Sequence, residues 1–328
     1  MYKLTVAVIT FNRAKYLTEM LDSILRQTYS QFYVKIYDNC STDNTAEVVM
    51  PYLRDERFSY FRHSSVVENG NFAFQDCKTD YLLIAHDDDI MLPNMVKEEV
   101  SILDRFDDVS MVVTNTNMID QDGKPMGYSV LSFWIPNGCF INSREYIDIF
   151  LDRGNAISCP TAMFRMEIIR RHNFSFRVAE IGGASDAYLW FELNQLEHRF
   201  YFVPTPLYNY RIHAGQDSAN SPFLTSRLRK PVYQLLSKNG YSGRTKGKWL
   251  KYINGLLIME TCNRGYGAFL EIEDTLLVHN CYDWTLYLGI VYGLYVCPLI
   301  KKTKKSKFYQ YAKKVKKLLC KWRQWLSC

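Results

Sequence analysis

The sequence predicts an α/β fold with a mainly parallel central sheet flanked by helices. Across the first hundred residues, short apolar runs rich in β-branched side chains alternate with segments whose apolar residues recur every three or four positions. Polar clusters follow the ends of several of these runs. Strands that alternate with helices in this way are typical of βαβ units, in which consecutive strands run parallel.

The elements of this alternation are predicted in order along residues 1–106. Strands are expected at residues 4–9, 33–37, 58–61 and 81–85. Helices are expected at residues 17–28, 42–53, 71–77 and 93–106. Ser41 or Thr42 is the expected cap of the second helix, and Pro93 is the expected first residue of the fourth.

The pattern after residue 107 is less regular. The elements predicted there are a strand at 109–114, a turn at 121–124, a helix capped by Ser143 and ending near Leu151, a strand at 162–164, a helix at 187–196, an extended segment at 201–210 and a mostly helical stretch at 222–278. The 328 residues are therefore divided into an α/β domain at 1–215, a helical extension at 216–280 and, at 281–328, an apolar segment with a basic tail.

Three of the polar clusters stand directly after predicted strands. They are Thr10-Phe11-Asn12, Asp38-Asn39 and Asp87-Asp88-Asp89. In an open α/β sheet the carboxyl ends of the strands line one crevice, where ligands bind. Because several carboxylates repel a phosphate, an anionic ligand in this crevice requires a divalent cation.

The run Asp87-Asp88-Asp89 is the strongest single feature of the sequence. Its hard oxygen ligands suit Mg²⁺ or Mn²⁺, which commonly bind one or two carboxylates together with substrate phosphates. The alternative is a solvated acidic turn that caps the helix after Pro93. The apolar strand before the run and the neighbouring carboxylates favour the metal site.

These motifs, in their order and spacing, resemble family-2 glycosyltransferases of the GT-A fold. The resemblance covers residues 3–215. It rests on five segments, namely Val6–Arg13, Asp38–Asp43, His86–Pro93, Ser185-Asp186 and Tyr210–His213.

The resemblance implies that one group of residues contacts the nucleotide-sugar. Thr10, Asn12 and Arg13 lie where the first loop of the family wraps the nucleotide. Asp38 resembles the residue that contacts the base. Asn69 opens a predicted turn that faces the same crevice, and we group it with these contacts.

A second group carries the chemistry that the resemblance implies. Asp87 and Asp88 resemble the DxD region, with Asp88 as the favoured direct metal ligand and Asp87 as a nucleotide-sugar contact, through the ribose or through the metal. The commoner form of this motif has Asp where this sequence has His86. Asp186 resembles the catalytic base, and His213 resembles a residue near the metal.

Most of these side chains also have a structural interpretation. Asp186 would equally serve to cap the helix predicted from Ala187, and Asp38 would serve as a turn residue. His213 alone is more typical of a surface histidine, and Arg13 of a solvated charge at a helix start.

The resemblance implies an inverting, metal-dependent glycosyltransferase. It implies Mn²⁺ or Mg²⁺ as the cofactor, a nucleotide-diphosphate sugar (UDP-sugar favoured) as the donor and a glycan or lipid-linked oligosaccharide as the acceptor. Two alternatives stay open: a catalytically inactive nucleotide-sugar-binding or scaffold protein at the membrane, and a nucleotidyltransferase. The loop at residues 10–14 lacks the glycine typical of a nucleotidyltransferase, and GxGxxG and GxxxxGK[ST] phosphate loops are absent from the sequence.

The charge is concentrated at one end of the chain. Residues 301–328 carry eleven Lys and Arg and no acid, so subtracting them from the net charge of +6 leaves −5 for residues 1–300. This acidic body argues against nucleic acid as a partner. In the tail, apolar residues recur every three or four positions between the lysines, which predicts an amphipathic helix on an anionic membrane surface.

The sequence also gives an expectation for location. Residues 284–300 form an apolar segment too short and too interrupted for a clear membrane span. The nine cysteines form no CxxC pair, which is typical of reduced thiols. We therefore expect a peripheral protein on the cytoplasmic face of the inner membrane.

Overall fold

The computed structural model of this chain describes residues 2–264, except 67, 130–139, 156 and 217–224. The chain forms two compact units, residues 1–221 and residues 222–328. The division into three parts at 215 and 280 stays a prediction. The apolar segment and the basic tail lie outside the described residues.

The first unit is built on one twisted sheet. Its strands are β1 (Leu4–Thr10), β2 (Phe32–Asp38), β3 (Phe58–Arg62), β4 (Tyr81–His86), β5 (Ile90–Met91), β6 (Val109–Ile119), β7 (Pro125–Ser129), β8 (Phe140–Ile141), β9 (Met163–Arg165) and β10 (Arg199–Arg211).

Helices cover the sheet and connect its strands. In the first unit they are α1 (Ala14–Leu25), α2 (Thr45–Val49), α3 (Asn69–Asp76), α4 (Met95–Arg105), α5 (Tyr146–Arg153), α6 (Met166–His172), α7 (Val178–Ile181) and α8 (Ser185–Leu193). Short 3-10 turns lie at Met50–Arg54, Cys159–Thr161 and Gly182–Ala184.

The strand order is β3-β2-β1-β4-β9-β6-β10-β5, with β7 beside β6 and β8 beside β10. The four strands β3, β2, β1 and β4 are parallel, and so are β6 and β10. Strand β9 is inserted antiparallel between β4 and β6. The predicted α/β fold with a mainly parallel sheet is confirmed.

The central strands form where the sequence offers uninterrupted apolar runs. In β1, the side chains of Leu4, Val6, Ala7 and Val8 are fully buried, because helices cover both faces of the sheet. Helix α1 places Leu17, Met20, Leu21 and Ile24 on one face at helical spacing, and all four are fully buried.

Three predicted helix starts are wrong. Helix α2 begins at Thr45 and α5 at Tyr146, and neither is capped by Ser41, Thr42 or Ser143. Helix α4 begins two residues after Pro93, whose carbonyl oxygen accepts a hydrogen bond from the backbone N–H of Thr28 instead.

Strand β10 contains two prolines, Pro204 and Pro206. Its pairing with β6 shifts register between Val203 and Pro206 and again between Pro206 and Tyr208. The shifts occur because proline has no N–H to donate to the ladder. The strand nevertheless continues to Arg211.

The second unit is helical as far as the structure describes it. A 3-10 turn at Thr225–Leu228 leads into α9 (Arg229–Lys238) and α10 (Gly243–Arg264). The Trp249 indole N–H donates to the Arg229 carbonyl at 2.9 Å, which links these two helices. The part of the predicted helical stretch beyond residue 264 lies outside the described residues. Within the described residues, no helix combines the length and the apolar character needed to cross a bilayer.

One buried carboxyl group of the core has no stabilising partner among the described residues. Glu99 on α4 is fully buried, and neither of its carboxylate oxygens accepts a hydrogen bond from the described residues. Burial raises the pKa of Glu99 well above its ordinary value of 4.5. The folded chain therefore keeps a proton on Glu99 that the unfolded chain releases above pH 4.5, and this group makes the fold less stable as the pH rises from that value.

We predict that Glu99→Met raises the free energy of unfolding by about 1–3 kcal/mol at pH 8, because it removes a buried polar group without a partner. The gain should be smaller at pH 5, and urea unfolding at the two pH values measures it. The control is Glu98→Met on the exposed face of the same helix, with a change below about 0.5 kcal/mol. A Glu99→Met protein less stable than wild type at pH 8 would contradict this account.

Candidate functional site

The ends of three adjacent parallel strands bring the predicted site residues to one edge of the sheet. In the register of the sheet, Thr10 at the end of β1 pairs with Asp38 at the end of β2. On the other side of β1, Ile9 pairs with His86, the last residue of β4. The run Asp87-Asp88-Asp89 follows immediately, so residues separated by more than seventy positions meet at one edge.

The loops after β1 and β2 are joined by hydrogen bonds through Asn12. Asn12 has a left-handed backbone with φ of 53°, which asparagine tolerates better than most residues. Its N–H donates to Ser41 Oγ at 2.9 Å, and its Oδ1 accepts from the Thr42 N–H at 2.7 Å. These bonds explain why Ser41 and Thr42 do not cap α2. Asp43 Oδ2 instead accepts from the Ala14 N–H at 3.1 Å, at the start of α1.

Asp38 is fully buried, and both of its carboxylate oxygens are oriented by protein donors. Oδ1 accepts from the Ser41 N–H at 2.8 Å, and Oδ2 accepts from the Tyr60 hydroxyl at 2.5 Å. Burial and the Asp38 charge raise the pKa of Tyr60. Arg62 Nε lies 3.7 Å from Oδ2. The contact of Asp38 with a base stays a prediction.

Asn69 lies beside the same strand end. It is the first residue of α3, and its Nδ2 donates to the Tyr37 carbonyl at 3.0 Å. Its Oδ1 is buried and accepts no hydrogen bond from the described residues. An unpartnered buried acceptor is costly, so this oxygen is available to a donor group of a ligand.

The three consecutive aspartates form a buried turn between β4 and β5. Asp87 Oδ2 accepts from the Phe11 N–H at 3.2 Å, and Asp87 Oδ1 accepts from Arg13 Nη1 at 3.1 Å. Asp88 Oδ2 lies 2.9 Å from the same Arg13 nitrogen and 2.9 Å from His213 Nε2. The structure thus brings Arg13, Asp87, Asp88 and His213 into one hydrogen-bonded group.

The electrostatics of this turn favour a bound cation. Burial and the neighbouring Asp88 charge raise the pKa of Asp87 to about 7, although Arg13 and the Thr10 hydroxyl lower it in part. Burial, followed by the charge of Asp88, raises the pKa of Asp89 well above its ordinary value. A cation that binds here offsets both the repulsion between the carboxylates and the cost of burying their charges.

The donor set fits a divalent metal. One ligand atom each of His86, Asp88 and Asp89 lies within 4.8 Å of the others. Carboxylate oxygens with one imidazole nitrogen suit Mn²⁺ or Mg²⁺. Asp88 was predicted as a ligand. His86 and Asp89 were not, although both stand in the His-Asp-Asp-Asp run that closes β4.

His213 lies beside the aspartate turn, and its side chain forms a hydrogen bond with Asp88. The Gly215 N–H donates to His213 Nδ1 at 3.2 Å, so the proton of the neutral ring is assigned to Nε2, which donates to Asp88. Coordination of a metal through Nε2 would place the proton of the ring on Nδ1. That nitrogen could then no longer accept the hydrogen bond from the Gly215 N–H. The role of His213 as a metal ligand stays a prediction.

Arg211 supports this turn, and no role was predicted for it. Its side chain is fully buried, Nε donates to the Asp88 carbonyl at 2.6 Å, and its N–H donates to Asp89 Oδ1 at 2.7 Å. Nη2 pairs with Glu19 at 3.0 Å, and the guanidinium lies 4.8 Å from the centre of the Tyr16 ring. The sequence signal was an arginine at the end of a strand rich in aromatic residues.

Asp186 lies on α8 of the first unit. It is the second residue of α8, and its Oδ1 accepts from the Ala187 N–H at 2.6 Å. The residue that caps α8 is Ala184, so the interpretation of Asp186 as the cap is wrong. Desolvation raises the pKa of Asp186 to about 6. Among the described residues, no hydrogen bond or ion pair joins Asp186 to Asp87, Asp88 or Asp89.

Comparison with known proteins identifies the fold and the family. The described strands and helices match a fragment of TarS from Staphylococcus aureus, residues 1–349 of that protein, whose crystal structure holds UDP. The TM-score is 0.61 at 16% sequence identity, and the match covers 98% of this chain and 91% of that one. The same fragment with UDP-GlcNAc matches with a TM-score of 0.58 at 14% identity and covers 98% of this chain and 92% of that one. The fold is the GT-A fold.

The family model described as "Glycosyl transferase family 2" matches residues 5–172, and the chain belongs to this family. An uncharacterized glycosyltransferase of Rickettsia felis is 25% identical over 221 residues, which are 65% of this chain and 35% of that protein. TarS, named as a poly(ribitol-phosphate) beta-N-acetylglucosaminyltransferase of S. aureus, is 23% identical over 185 residues, 54% of this chain and 30% of TarS. The matched part thus spans about a third of the length of these two relatives.

Proposed function

We propose that this chain is an inverting, metal-dependent glycosyltransferase that moves a sugar from a UDP-sugar to a glycan acceptor. The observation that carries the proposal is the buried turn Asp87-Asp88-Asp89, with Arg13 against it, at the shared edge of β1, β2 and β4 in a member of family 2. Such an edge combines a cation site with a guanidinium for a diphosphate.

The protein's residues have separate tasks on the donor. Asp88, with His86 and Asp89, would hold the divalent cation, and a bound cation supplies Lewis-acid stabilisation of the leaving diphosphate. Arg13 would donate a forked pair of hydrogen bonds to the same diphosphate. Asp38 and Asn69 would contact the nucleoside from the end of β2 and the start of α3.

Asp186 is the proposed base on the acceptor side. In the transfer, the bond from the anomeric carbon to the diphosphate oxygen breaks as the acceptor oxygen bonds to that carbon from the opposite face. The acceptor hydroxyl proton passes to the Asp186 carboxylate. A pKa of about 6 suits this task, because the group is ionised at neutral pH and still basic enough to take the proton. Attack from the opposite face inverts the anomeric centre in one step.

The relatives support the choice of donor and acceptor classes. TarS is named as an N-acetylglucosaminyltransferase that acts on poly(ribitol-phosphate), and its fragment has been crystallised with UDP-GlcNAc. We therefore favour a UDP-sugar donor and a surface-polysaccharide acceptor, lipid-linked in our proposal. A catalytically inactive scaffold would keep nucleotide binding without turnover, and a nucleotidyltransferase would consume a nucleoside triphosphate.

We further propose peripheral attachment to the cytoplasmic face of the inner membrane through residues 301–328. The eleven basic residues of this segment and its apolar spacing support the proposal, since such helices bind anionic lipid surfaces. A lipid-linked acceptor would be presented at the same surface.

We predict that UDP raises the melting temperature of the wild-type protein only when Mn²⁺ is present, and that Asp88→Ala abolishes this shift. The reason is that Asp88 is a predicted ligand and also belongs to the group of His86, Asp88 and Asp89 that could hold a metal. Thermal unfolding with UDP, GDP, CDP or TDP, with and without Mn²⁺, measures the effect and identifies the base. Asp107→Ala, which removes an exposed carboxylate, is the control and should shift like wild type. A UDP shift that survives both Mn²⁺ removal and Asp88→Ala would refute the metal site.

We predict that Asp186→Asn keeps UDP binding and lowers the turnover of sugar transfer by at least about 100-fold, because the acceptor proton loses its base. In the wild type, turnover should fall about tenfold for each pH unit below the Asp186 pKa of about 6, since only the ionised carboxylate accepts a proton. A pH series of transfer rates checks both statements. Asp148→Asn, which changes an exposed acid in the first turn of α5, should behave as wild type. Transfer retained in Asp186→Asn would overturn the assigned base.

We predict that neutralising four tail lysines weakens binding to vesicles that contain anionic lipid by at least about tenfold, since each basic residue near such a surface contributes up to about 1 kcal/mol. The variant replaces with glutamine the residues Lys313, Lys314, Lys316 and Lys317. The control replaces four lysines exposed on the described part of the chain, namely Lys78, Lys97, Lys248 and Lys251. Co-sedimentation with vesicles measures binding, and equal losses in both variants would contradict a specific role of the tail.

A further inference from the structure

One of the two carboxylate oxygens of Asp88 already has two hydrogen-bond donors. Its Oδ2 lies 2.9 Å from Arg13 Nη1 and 2.9 Å from His213 Nε2. A carboxylate oxygen with two charged or polar donors has little capacity left for a strong third bond. Coordination of a cation by this oxygen therefore requires one donor to leave.

Arg13 is the donor that is placed to leave. Its positive charge repels a divalent cation bound to the same carboxylates, whereas a neutral imidazole does not. Its side chain is 23% exposed, while that of His213 is 8% exposed and packs against the Tyr16 ring at 5.0 Å. Arg13 Nη2 donates to the Gly215 carbonyl at 3.1 Å, on an exposed loop.

The first loop also places Arg13 near an anionic ligand of this edge. Arg13 immediately precedes α1, whose start at Ala14 is fixed by Asp43 from the neighbouring loop. The backbone position is therefore fixed while the long side chain can change partners. In the structure, Arg13 Nη1 bonds both aspartates, and a diphosphate offers the guanidinium two oxygens for a forked pair of bonds instead.

We propose that Arg13 is an exchangeable cation of the site, which bonds Asp87 and Asp88 until a divalent cation binds and then moves onto the donor diphosphate. The consequence is that the cation and the nucleotide bind cooperatively. The cation releases Arg13 from the two aspartates, and the diphosphate provides a new partner for the released guanidinium. This inference rests on the proposed function, since it takes a divalent cation and a nucleotide diphosphate as the ligands.

The test measures Mn²⁺ binding to the full chain by the electron paramagnetic resonance signal of free Mn²⁺, and UDP binding by calorimetry. Arg13→Gln should bind Mn²⁺ alone about tenfold more tightly than wild type, because the competing charge-assisted bonds are gone. The same variant should bind UDP about tenfold more weakly in saturating Mn²⁺, because the diphosphate loses its guanidinium. The factor by which UDP raises Mn²⁺ affinity should therefore fall about tenfold.

Two further variants separate charge competition from a change in local structure. Arg13→Lys keeps the charge, and its affinity for Mn²⁺ alone should stay within about threefold of wild type. Lys15→Gln removes the same charge from an exposed position two residues away and should leave both affinities unchanged. Unchanged or weaker Mn²⁺ binding in Arg13→Gln would overturn the inference, and so would equal tightening in Arg13→Gln and either of these two variants.

The outcomes also distinguish this inference from the function on which it rests. A wild-type protein that does not bind UDP in the presence of Mn²⁺ would refute the proposed donor site. A wild-type protein that binds UDP with Mn²⁺, together with an Arg13→Gln variant whose Mn²⁺ affinity does not rise, would refute the role of Arg13 alone.

Discussion

The burial of three consecutive carboxylates at the end of β4 is the constraint on which the rest of the site depends. Carboxylates placed this close in a desolvated turn repel one another, and burial raises the pKa of Asp87 to about 7. The compensating groups come from distant parts of the sequence. Arg13 follows β1, and Arg211 and His213 lie at the end of β10 and just after it. The antiparallel pairing of β10 with β5, through Tyr208 and Met91, delivers these last two residues to the turn.

The parallel arrangement of β1, β2 and β4 explains why polar residues remote in sequence act together. Apart from Thr5 in β1 and Lys35 in β2, these strands are apolar until their last residues. The polar side chains therefore collect mainly where the strands end. The hydrogen bonds of Asn12 with Ser41 and Thr42 then join two loops into one rigid rim. The left-handed backbone of Asn12 has a conformational cost, and its hydrogen bonds with Ser41 and Thr42 offset that cost.

The parts of this fold that could be predicted from the sequence are those fixed by local patterns. The apolar runs of β1, β2 and β4 and the polar clusters at their ends were read from spacing alone, and the structure places them as predicted. The caps of α2 and α4 could not be predicted in this way, because contacts from other loops take up Ser41, Thr42 and the Pro93 carbonyl.

The same reasoning explains why Arg211 was not assigned a role. Its burial is tolerable because Glu19 pairs with the guanidinium and the Asp88 carbonyl accepts from it, and both partners lie more than 120 positions earlier in the chain. An arginine in a strand carries no local sign of such a partner. His86 was noticed only as a departure from the commoner motif, because its proximity to Asp88 and Asp89 depends on how the turn closes.

The two arginines of the site bond different groups of the aspartate turn. Arg211 bonds its backbone, whereas Arg13 bonds its carboxylates. Arg211 is fully buried and bonds the Asp88 carbonyl, while its own N–H bonds Asp89 Oδ1. It thus fixes the backbone of the turn without using the carboxylate of Asp88. In the described part of the chain, the bonds to that carboxylate come from Arg13 and His213, which lie on loops. The backbone of the turn can therefore stay fixed while the partners of the Asp88 carboxylate change, and a site that binds and releases charged ligands in each cycle needs both properties.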